Sequence, residues 1–352
     1  MGKSKFIIIG SGWRSMYYVR IAKALPEMFE LCAMYCRTTE KAEKIARENN
    51  IHTTTSIEEC VSYSPDFVVV AVNKTSIYEV SKEWMKKGFA VLCETPPSLK
   101  LEELQDLWEM HEQGAKLQVA EQYFLYPTYK GKLDILDSKI LGAPYNVTIS
   151  AIHDYHAASI IRKILGTGFE NVTIYGKKHK FPVTETLTRY ESFFDGRVAD
   201  KERDRLTFEF ENGKMAFYDF SSIQYRSTIR SLYIQVQGIK GEMVNDTFRY
   251  LDEENMSHES EITIEKFESG QIESVKFEGK SVYQCPYNDC GLSEDETAIA
   301  GLMAGMKEYS LTCKEVYPLA DAMQDAYITI LMQEALANPN QEIKMQSQNW
   351  MM

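Results

Sequence analysis

The strongest constraint on the fold is a regular alternation of apolar strands and helical segments over roughly the first 120 residues. Each apolar run is short and rich in β-branched residues, which is typical of a buried parallel strand, and a segment with helical periodicity follows it. The predicted strands are Lys5–Ile9, Phe29–Cys36, Asp66–Val72, Phe89–Cys93 and Leu117–Ala120, and the predicted helices are Arg14–Leu25, Thr39–Asn49, Ser56–Cys60, Ser76–Gly88 and Leu101–Gln113. This order predicts a doubly wound parallel sheet with helices on both faces, the Rossmann type of α/β domain.

The rest of the chain has a different pattern. Between residues 171 and 279, apolar and polar residues alternate with period two, which predicts antiparallel strands with one solvated face. Asn212-Gly213 is the clearest hairpin signal in this region. Helical segments return over Glu294–Tyr309 and Ala320–Ala337. We therefore expect an α+β domain with an open, mainly antiparallel sheet.

The length also favours two domains, because 352 residues exceed one ordinary hydrophobic core. We place the boundary where the pattern changes. Residues 1–122 are expected to form the Rossmann domain, and residues 123–352 are expected to form the substrate and oligomerisation domain. The last helix of the second domain can pack back on the first.

Charge and cysteine content narrow the classes of function. The formal net charge of −12 repels phosphate backbones and anionic lipids, so neither nucleic acid nor a membrane is an expected partner. No apolar run approaches the roughly 20 residues of a membrane helix, and the run before Gly10 is too short for a signal-peptide core. The seven scattered cysteines fit reduced thiols better than a disulfide framework or a zinc site. A cytoplasmic protein without a bound metal is therefore expected.

A glycine turn follows the first predicted strand, in the sequence Gly10-Ser-Gly-Trp-Arg-Ser15. In such a turn the first glycine permits the tight bend and the second permits close approach of a diphosphate, while a small third residue, here Ser15, lets helix and strand pack closely. The next helix offers free N–H groups and a positive dipole end. A βα turn without a ligand is the alternative, but the surrounding βα units favour a nicotinamide dinucleotide. The residues expected to bind it here are Gly10, Ser11, Gly12, Trp13 and Arg14.

The end of the second strand bears on which dinucleotide binds. NAD sites usually place a carboxylate there for the ribose hydroxyls, whereas this chain has none between Met34 and Glu40. Arg37 can pair with a 2′-phosphate, and Thr38 can hydrogen-bond to it. NADP(H) is therefore the favoured cofactor. NAD(H) stays possible, and a solvated Arg37 is the competing interpretation.

Several segments, taken in order with the glycine turn, resemble the glucose–fructose oxidoreductase, inositol dehydrogenase and rhizopine-catabolism family (Gfo/Idh/MocA). The strand Phe67–Val72 is one of these segments. Gly88–Pro96 is similar to the family's G-x-x-V-x-x-E-K-P sequence, and Glu121–Pro127 is similar to its Gln-x-Arg-Phe-x-Pro junction. His156–Gly166 resembles the family's helix that begins with a histidine, and Tyr317–Tyr327 resembles its final helix. The resemblance covers nearly the whole chain.

The resemblance implies hydride transfer between a nicotinamide and a sugar, polyol or sugar-like carbonyl or alcohol. It also implies that the open sheet of the second domain is buried in a homodimer or homotetramer. Further cofactor contacts implied by the resemblance come from Val72, Asn73, Glu94 and Gln122.

The catalytic positions depart from the family pattern. Thr95 stands at the place of the family's lysine and cannot supply its positive charge. Ile152 and Ser159 stand at the places of its aspartates, and His156 alone keeps its expected place. These losses put the family's chemistry in question.

His156 is the leading candidate for proton transfer, because an imidazole titrates near neutrality and carbonyl reduction needs a proton donor beside the hydride donor. Thr95 and Tyr123 are the expected auxiliary hydrogen-bond donors. A structural histidine at a helix start is the competing interpretation of His156. A shared metal on His153 and His156 is weakly supported, since no carboxylate or cysteine pattern reinforces it. The residues expected near the substrate are His153, Asp154 and Tyr155.

Two functions therefore stay open. One is an NAD(P)-dependent dehydrogenase or reductase that acts on a CH–OH group of a small-molecule substrate, a sugar or polyol. The other is a non-catalytic dinucleotide-binding sensor or regulator of the same fold. The missing lysine and aspartates favour the sensor, whereas the retained His156 favours the enzyme.

Overall fold

The computed structural model describes residues 2–351, which form a parallel sheet, a large mixed sheet and a small antiparallel sheet. The strands are β1 (Ser4–Ile9), β2 (Phe29–Tyr35), β3 (Thr53–Thr54), β4 (Phe67–Val70), β5 (Val91–Cys93), β6 (Leu117–Val119), β7 (Pro144–Ser150), β8 (Val172–Thr184), β9 (Val198–Phe210), β10 (Met215–Phe220), β11 (Tyr233–Gly238), β12 (Gly241–Val244), β13 (Thr247–Leu251), β14 (Ser257–Glu261), β15 (Thr263–Lys266), β16 (Ile272–Phe277), β17 (Lys280–Gln284) and β18 (Ile343–Lys344). The helices are α1 (Ser15–Ala24), α2 (Thr39–Asn49), α3 (Ile57–Ser62), α4 (Ile77–Lys86), α5 (Leu101–Glu112), α6 (Pro127–Asp137), α7 (Asp154–Leu165), α8 (Glu294–Thr312) and α9 (Leu319–Ala337).

The first sheet is parallel and has the strand order β3-β2-β1-β4-β5-β6. Its central strands are buried on both faces, as the apolar runs predict; Phe67 to Val70, for example, are fully buried. The order reverses between β1 and β4, and an α/β sheet of this kind binds ligands at that point, outside the carboxyl ends of its strands.

The second sheet has the order β14-β13-β12-β11-β7-β10-β9-β8-β18. Its neighbouring strands are antiparallel except for β7 and β10, which run parallel. The hairpin predicted at Asn212-Gly213 joins β9 to β10 and is confirmed. The predicted fold class, a Rossmann domain followed by an α+β domain with a mainly antiparallel sheet, is confirmed as well.

The two sheets are joined through a shared hydrophobic core. One cluster runs from Val68 in β4 through Ile160 in α7 to Met323 in α9. Helix α8 contacts α1, and α9 contacts α5 as well as α7 and β8. The last two long helices thus fix the orientation of the second domain relative to the first, and a cleft lies between the domains.

Local signals explain several helix ends. Thr38 accepts a hydrogen bond from the Lys41 amide and starts α2 as predicted, while Gly166 in the left-handed conformation ends α7. Ser293 and Glu296 form a reciprocal capping box at the start of α8. Helix α6 was not predicted. Strands β15 and β16 lie in the region predicted to alternate, but their pairing with β17 in a separate small sheet depends on tertiary packing and was not predicted.

Candidate active site

A cleft of about 620 Å³ opens where the carboxyl ends of β1, β4 and β5 face the second domain. This volume is within the usual range for a small-molecule or cofactor site. The first domain contributes the glycine turn and the residues that follow β4 and β5, and the second contributes the start of α7 and two loops. The residues that line it are Trp13, Arg14, Tyr17, Ala71, Val72, Asn73, Lys74, Ile77, Glu94, Thr95, Gln122, Tyr123, Tyr126, His153, His156, Arg189, Ser222, Tyr225, Arg226 and Asp295.

The glycine turn has the geometry that its sequence predicts. Gly10 has φ +117°, and a Cβ atom there would lie 2.2 Å from the Ala71 carbonyl oxygen, so only glycine fits between β1 and β4. Ser15 is buried beneath the turn, where its hydroxyl lies 3.5 Å from the same oxygen. A Cβ atom on Gly12, in contrast, would meet no atom within 4 Å. The outer side of the turn is therefore open to a ligand.

This turn fits a dinucleotide diphosphate. The amides of Gly12, Trp13 and Arg14 donate no hydrogen bond to any acceptor within residues 2–351, and helix α1 begins immediately after them without a side-chain cap. Free N–H groups and the positive end of a helix dipole favour an anion at this place. These three residues and Ser11 would hold the diphosphate.

Arg14 ties the turn to the rest of the cleft. Its guanidinium donates to Glu94 Oε1 at 2.9 Å and to Asp295 Oδ2 at 2.8 Å. Gln122, with its carboxamide oxygen turned toward Arg14, accepts a third hydrogen bond at 2.8 Å. The Tyr18 hydroxyl donates to the same Glu94 oxygen at 2.6 Å. Because Asp295 belongs to α8, these bonds fix the second domain against the floor of the cleft.

His156 lies in the first turn of α7 and joins two residues of the first domain. Its Nδ1 atom hydrogen-bonds to the fully buried Glu121 carboxyl, and its Nε2 atom lies 3.4 Å from Thr95 Oγ1 on the cleft side. Thr95 and Glu121 each lie two residues beyond a parallel strand, β5 and β6 respectively. The carboxyl ends of neighbouring parallel strands meet at one edge of the sheet, which brings both to His156.

Burial governs the protonation of this pair. It raises the pKa of Glu121 to about 8, and it lowers the pKa of His156 to about 3, with the nearby Arg14 charge as the next cause. Since the two groups share a hydrogen bond, they titrate as a unit. The pair therefore has no net charge near neutrality, and a protonated carboxyl that donates to Nδ1 requires the imidazole N–H to be at Nε2.

Aromatic side chains form the wall beside His156. The Tyr123 ring lies against the imidazole with centroids 4.4 Å apart, and it stacks on Tyr126 at 4.5 Å. Burial raises the pKa of the Tyr123 phenol, so it stays a proton-bearing hydrogen-bond donor. Tyr225 accepts from the His153 amide at 3.0 Å, and its hydroxyl is 2.6 Å from His153 Nδ1. His153 is thus held by Tyr225, with Nε2 left free.

The structure brings most of the predicted site residues together. Val72, Asn73, Glu94, Thr95, Gln122, Tyr123, His153 and His156 line the cleft together with Trp13 and Arg14, and Gly10, Ser11 and Gly12 form the turn at its edge.

Apart from the three residues of the turn at its edge, four predicted residues lie outside the cleft lining. Tyr155 is buried, and its hydroxyl donates to the Ala322 carbonyl in α9, because helical geometry turns it away from its neighbour His156. Asp154 adopts φ +37°, and its amide donates to the Tyr218 hydroxyl. Arg37 and Thr38 lie beyond β2, where Arg37 is exposed and the Thr38 hydroxyl caps α2.

Some cleft residues were not predicted. Glu121 belongs to a motif of the sequence analysis, but no role was predicted for it. Its position just beyond β6, at the carboxyl edge of the sheet, is a sequence signal that could have indicated a site residue. Asp295, Tyr126, Tyr225, Arg189 and Arg226 reach the cleft only through the packing of the second domain. Among residues 2–351, no group of three or more His, Cys, Asp or Glu side chains is arranged to hold a metal. In the same range, none of the helices has the length and apolar content needed to span a bilayer.

Comparisons with known proteins agree with this arrangement. The family model described as an oxidoreductase family with an NAD-binding Rossmann fold matches residues 4–121. No curated protein matches the sequence.

Solved structures resemble the chain over almost its whole length. Apo scyllo-inositol dehydrogenase from Lactobacillus casei is 15% identical with a TM-score of 0.66, over 97% of this chain and 98% of that one. An NAD-binding oxidoreductase from Klebsiella pneumoniae is 14% identical with a TM-score of 0.68, over 99% and 100%. An Agrobacterium radiobacter oxidoreductase in complex with NAD⁺, L-tartaric acid and magnesium is 13% identical with a TM-score of 0.68, over 97% and 98%. At these identities the likeness establishes the two-domain fold.

Proposed function

We propose that this chain transfers hydride between a nicotinamide dinucleotide and a CH–OH or carbonyl group of a sugar, polyol or related small molecule. The proposal is supported by the match of residues 4–121 to the model of an oxidoreductase family with an NAD-binding Rossmann fold. The observation that carries the proposal is the series of side-chain contacts from Glu121 through His156 to Thr95, which ends in the cleft beside the glycine turn. Solved proteins of the same fold include an inositol dehydrogenase and an oxidoreductase that binds tartaric acid, both consistent with a hydroxyl-bearing substrate.

When bound, the nicotinamide would supply or accept the hydride, and the protein would handle the accompanying proton. Nε2 of His156 is the group that gives the proton to a carbonyl oxygen or takes it from a hydroxyl. Thr95 Oγ1 and the Tyr123 hydroxyl are placed to orient that oxygen. Thr95 cannot bring the positive charge of the family's lysine, so polarisation of the oxygen rests on neutral donors and on the Nε2 proton.

Glu121 sets the direction in which the proton moves. While its carboxyl keeps a proton, Nδ1 accepts and Nε2–H is a donor, which suits carbonyl reduction. Once the pair loses that proton, Nε2 becomes an acceptor, which suits alcohol oxidation. The buried carboxyl thus replaces the charged lysine as the partner that determines the proton affinity of the site.

This arrangement predicts opposite pH profiles for the two directions. With the pKa of Glu121 raised to about 8, kcat/KM for reduction should fall as the pH rises through about 8, and kcat/KM for oxidation should rise over the same interval. The measurement is a pair of steady-state profiles from pH 6 to about 10, the range that spans this raised value.

Glu121→Gln is the matching variant. Its amide can still hydrogen-bond to Nδ1 but cannot titrate, so the step near pH 8 should vanish while dinucleotide affinity stays unchanged. Glu48→Gln, an exposed change on α2, should leave the step in place. A step that survives in Glu121→Gln would show that another group carries the proton.

We further propose NADP(H) as the preferred cofactor, with Arg37 and Thr38 as the residues that bind its 2′-phosphate. Arg37 is exposed beyond β2 and has no ion pair with any carboxylate of residues 2–351. Calorimetric titration should show NADP(H) bound more tightly than NAD(H). A lost phosphate contact is worth about 1.5–3 kcal/mol, so Arg37→Gln should reduce the preference by about tenfold or more. An unchanged preference in that variant would exclude Arg37.

A non-catalytic sensor is the second candidate. It is favoured by Thr95, Ile152 and Ser159, which stand where the family has its lysine and aspartates. Neither an isoleucine nor a serine side chain carries a charge, and both are fully buried, so neither replaces an aspartate in the cleft. The sensor would bind dinucleotide without turnover of any sugar, polyol or hydroxy acid, whereas the enzyme would show turnover that depends on His156.

A further inference from the structure

A side pocket of about 240 Å³ adjoins the cleft on the side of the second domain. The two cavities share Arg189, Ser222 and Arg226. The pocket lies between the loop that joins β8 to β9 and the loop that precedes β11. It therefore extends the cleft into the domain that is expected to bind the substrate.

Three basic side chains around the pocket and the adjoining cleft have no carboxylate partner within residues 2–351. Arg189 and Arg226 have no ion pair with any carboxylate of residues 2–351, and Lys74 on the opposite side of the cleft likewise has none. Glu185, the carboxylate that lines the pocket, is already paired with Lys201. With a net charge of −12, carboxylates are plentiful, yet none neutralises these arginines. Cations left unpaired around one cavity favour an anionic ligand.

Other contacts connect the pocket to the reacting centre. Arg226 directly follows Tyr225, whose hydroxyl binds the backbone and ring of His153, and His153 and His156 have ring centroids 5.0 Å apart. The loop that carries Arg226 is thereby attached to the start of α7, beside His156. Arg189 lies over the Trp13 ring at 3.8 Å, so its loop reaches across the mouth of the cleft.

We propose that the substrate carries an anionic group, a carboxylate or a phosphate, which Arg226 and Arg189 bind in this side pocket while its hydroxyl or carbonyl faces His156. The proposal rests on the proposed function for the identity of the reacting group, but the binding of the anion can be tested separately. A planar guanidinium suits either anion, because it donates paired N–H bonds to two oxygens. The Ser222 hydroxyl, which makes no hydrogen bond within residues 2–351, is a further donor.

The test is calorimetric titration with three probes that share the glucose ring and differ in charge at C6: glucose, glucuronate and glucose 6-phosphate. Each is titrated into the free protein and into the protein saturated with the reduced dinucleotide, with which a hydroxyl cannot be oxidised. At least one anionic probe should bind about tenfold or more tightly than glucose, as expected for charge-assisted hydrogen bonds. The better of the two identifies the carboxylate or the phosphate as the group that is bound.

Arg226→Gln and Arg189→Gln should each remove most of that preference and leave dinucleotide affinity within about twofold, a change too small for a lost ionic contact. Arg230→Gln is the matched control, because it makes the same charge change in the same loop but lines neither cavity. Equal binding of all three probes would overturn the proposal. The proposal would also be overturned if Arg226→Gln and Arg189→Gln weakened dinucleotide binding but kept the preference for an anionic probe, because the arginines would then belong to the cofactor site.

Failure of the proposed function gives a different result. If neither dinucleotide binds the wild-type chain, the oxidoreductase proposal fails. Tighter binding of an anionic probe to the free protein, lost in Arg226→Gln, would still establish the anion site.

Discussion

Replacing His156 with Asn should lower kcat by about 10²- to 10⁴-fold, the usual contribution of a positioned acid–base group, and should leave dinucleotide affinity unchanged. The shorter amide can still reach toward Glu121 in place of Nδ1. It has nothing in place of Nε2, the atom that lies 3.4 Å from Thr95 Oγ1 on the cleft side. The variant therefore separates proton transfer from cofactor binding.

The variant should fold, because its environment does not depend on a charged imidazole. Burial lowers the pKa of His156 to about 3 and raises that of Glu121 to about 8, so the pair is uncharged near neutrality. Removing one partner leaves a protonated carboxyl rather than a buried charge, and the large penalty for an unpaired buried ion does not arise. The melting temperature should confirm this.

The measurement is single-turnover hydride transfer, followed by nicotinamide absorbance, with a substrate found by screening sugars, polyols and their acids. His179→Asn in β8, outside the cleft, is the control and should behave as wild type. Full activity in a folded His156→Asn protein would remove His156 from the chemistry. It would leave Tyr123 as the remaining proton donor in the same wall of the cleft.

The geometry of the glycine turn, where we propose that the cofactor binds, could be predicted from the sequence because its determinants are local. The bend at Gly10 and the open position at Gly12 follow from a strand, a glycine turn and a helix that are adjacent in the chain. The carboxyl ends of parallel strands then place Thr95 and Glu121 near each other without any knowledge of distant packing. The fold and the geometry of the turn thus depend on the same sequence signals.

The substrate half could not be predicted in the same way. Asp295 reaches Arg14 across 281 positions of the chain, and Arg189 meets Trp13 only because the loop between β8 and β9 bends over the cleft. The side-chain direction of Tyr155 depended on which face of α7 met α9. Such contacts are set by tertiary packing, and no periodicity within one segment encodes them.

Replacing Gly12 with Asp should reduce dinucleotide affinity by about a hundredfold or more, because the juxtaposition of like charges costs several kcal/mol and every 1.4 kcal/mol is about tenfold in affinity. The new carboxylate would stand where a Cβ atom meets no protein atom within 4 Å, the open side of the turn. It would repel the diphosphate from the free amides at the start of α1. Calorimetric titration with NAD(H) and NADP(H) measures the loss.

The fold should survive this change. Gly12 does not have a positive φ, in contrast to Gly10, and a carboxylate at a helix N-terminus interacts favourably with the dipole. Gly2→Asp adds the same charge at another open position, near the start of β1 and away from the cleft, and should bind as wild type. Gly12→Ala, which adds volume without charge, should have a smaller effect than Gly12→Asp. Unchanged affinity in folded Gly12→Asp would mean that no diphosphate lies at this turn, and the proposed hydride transfer would then lack its cofactor site.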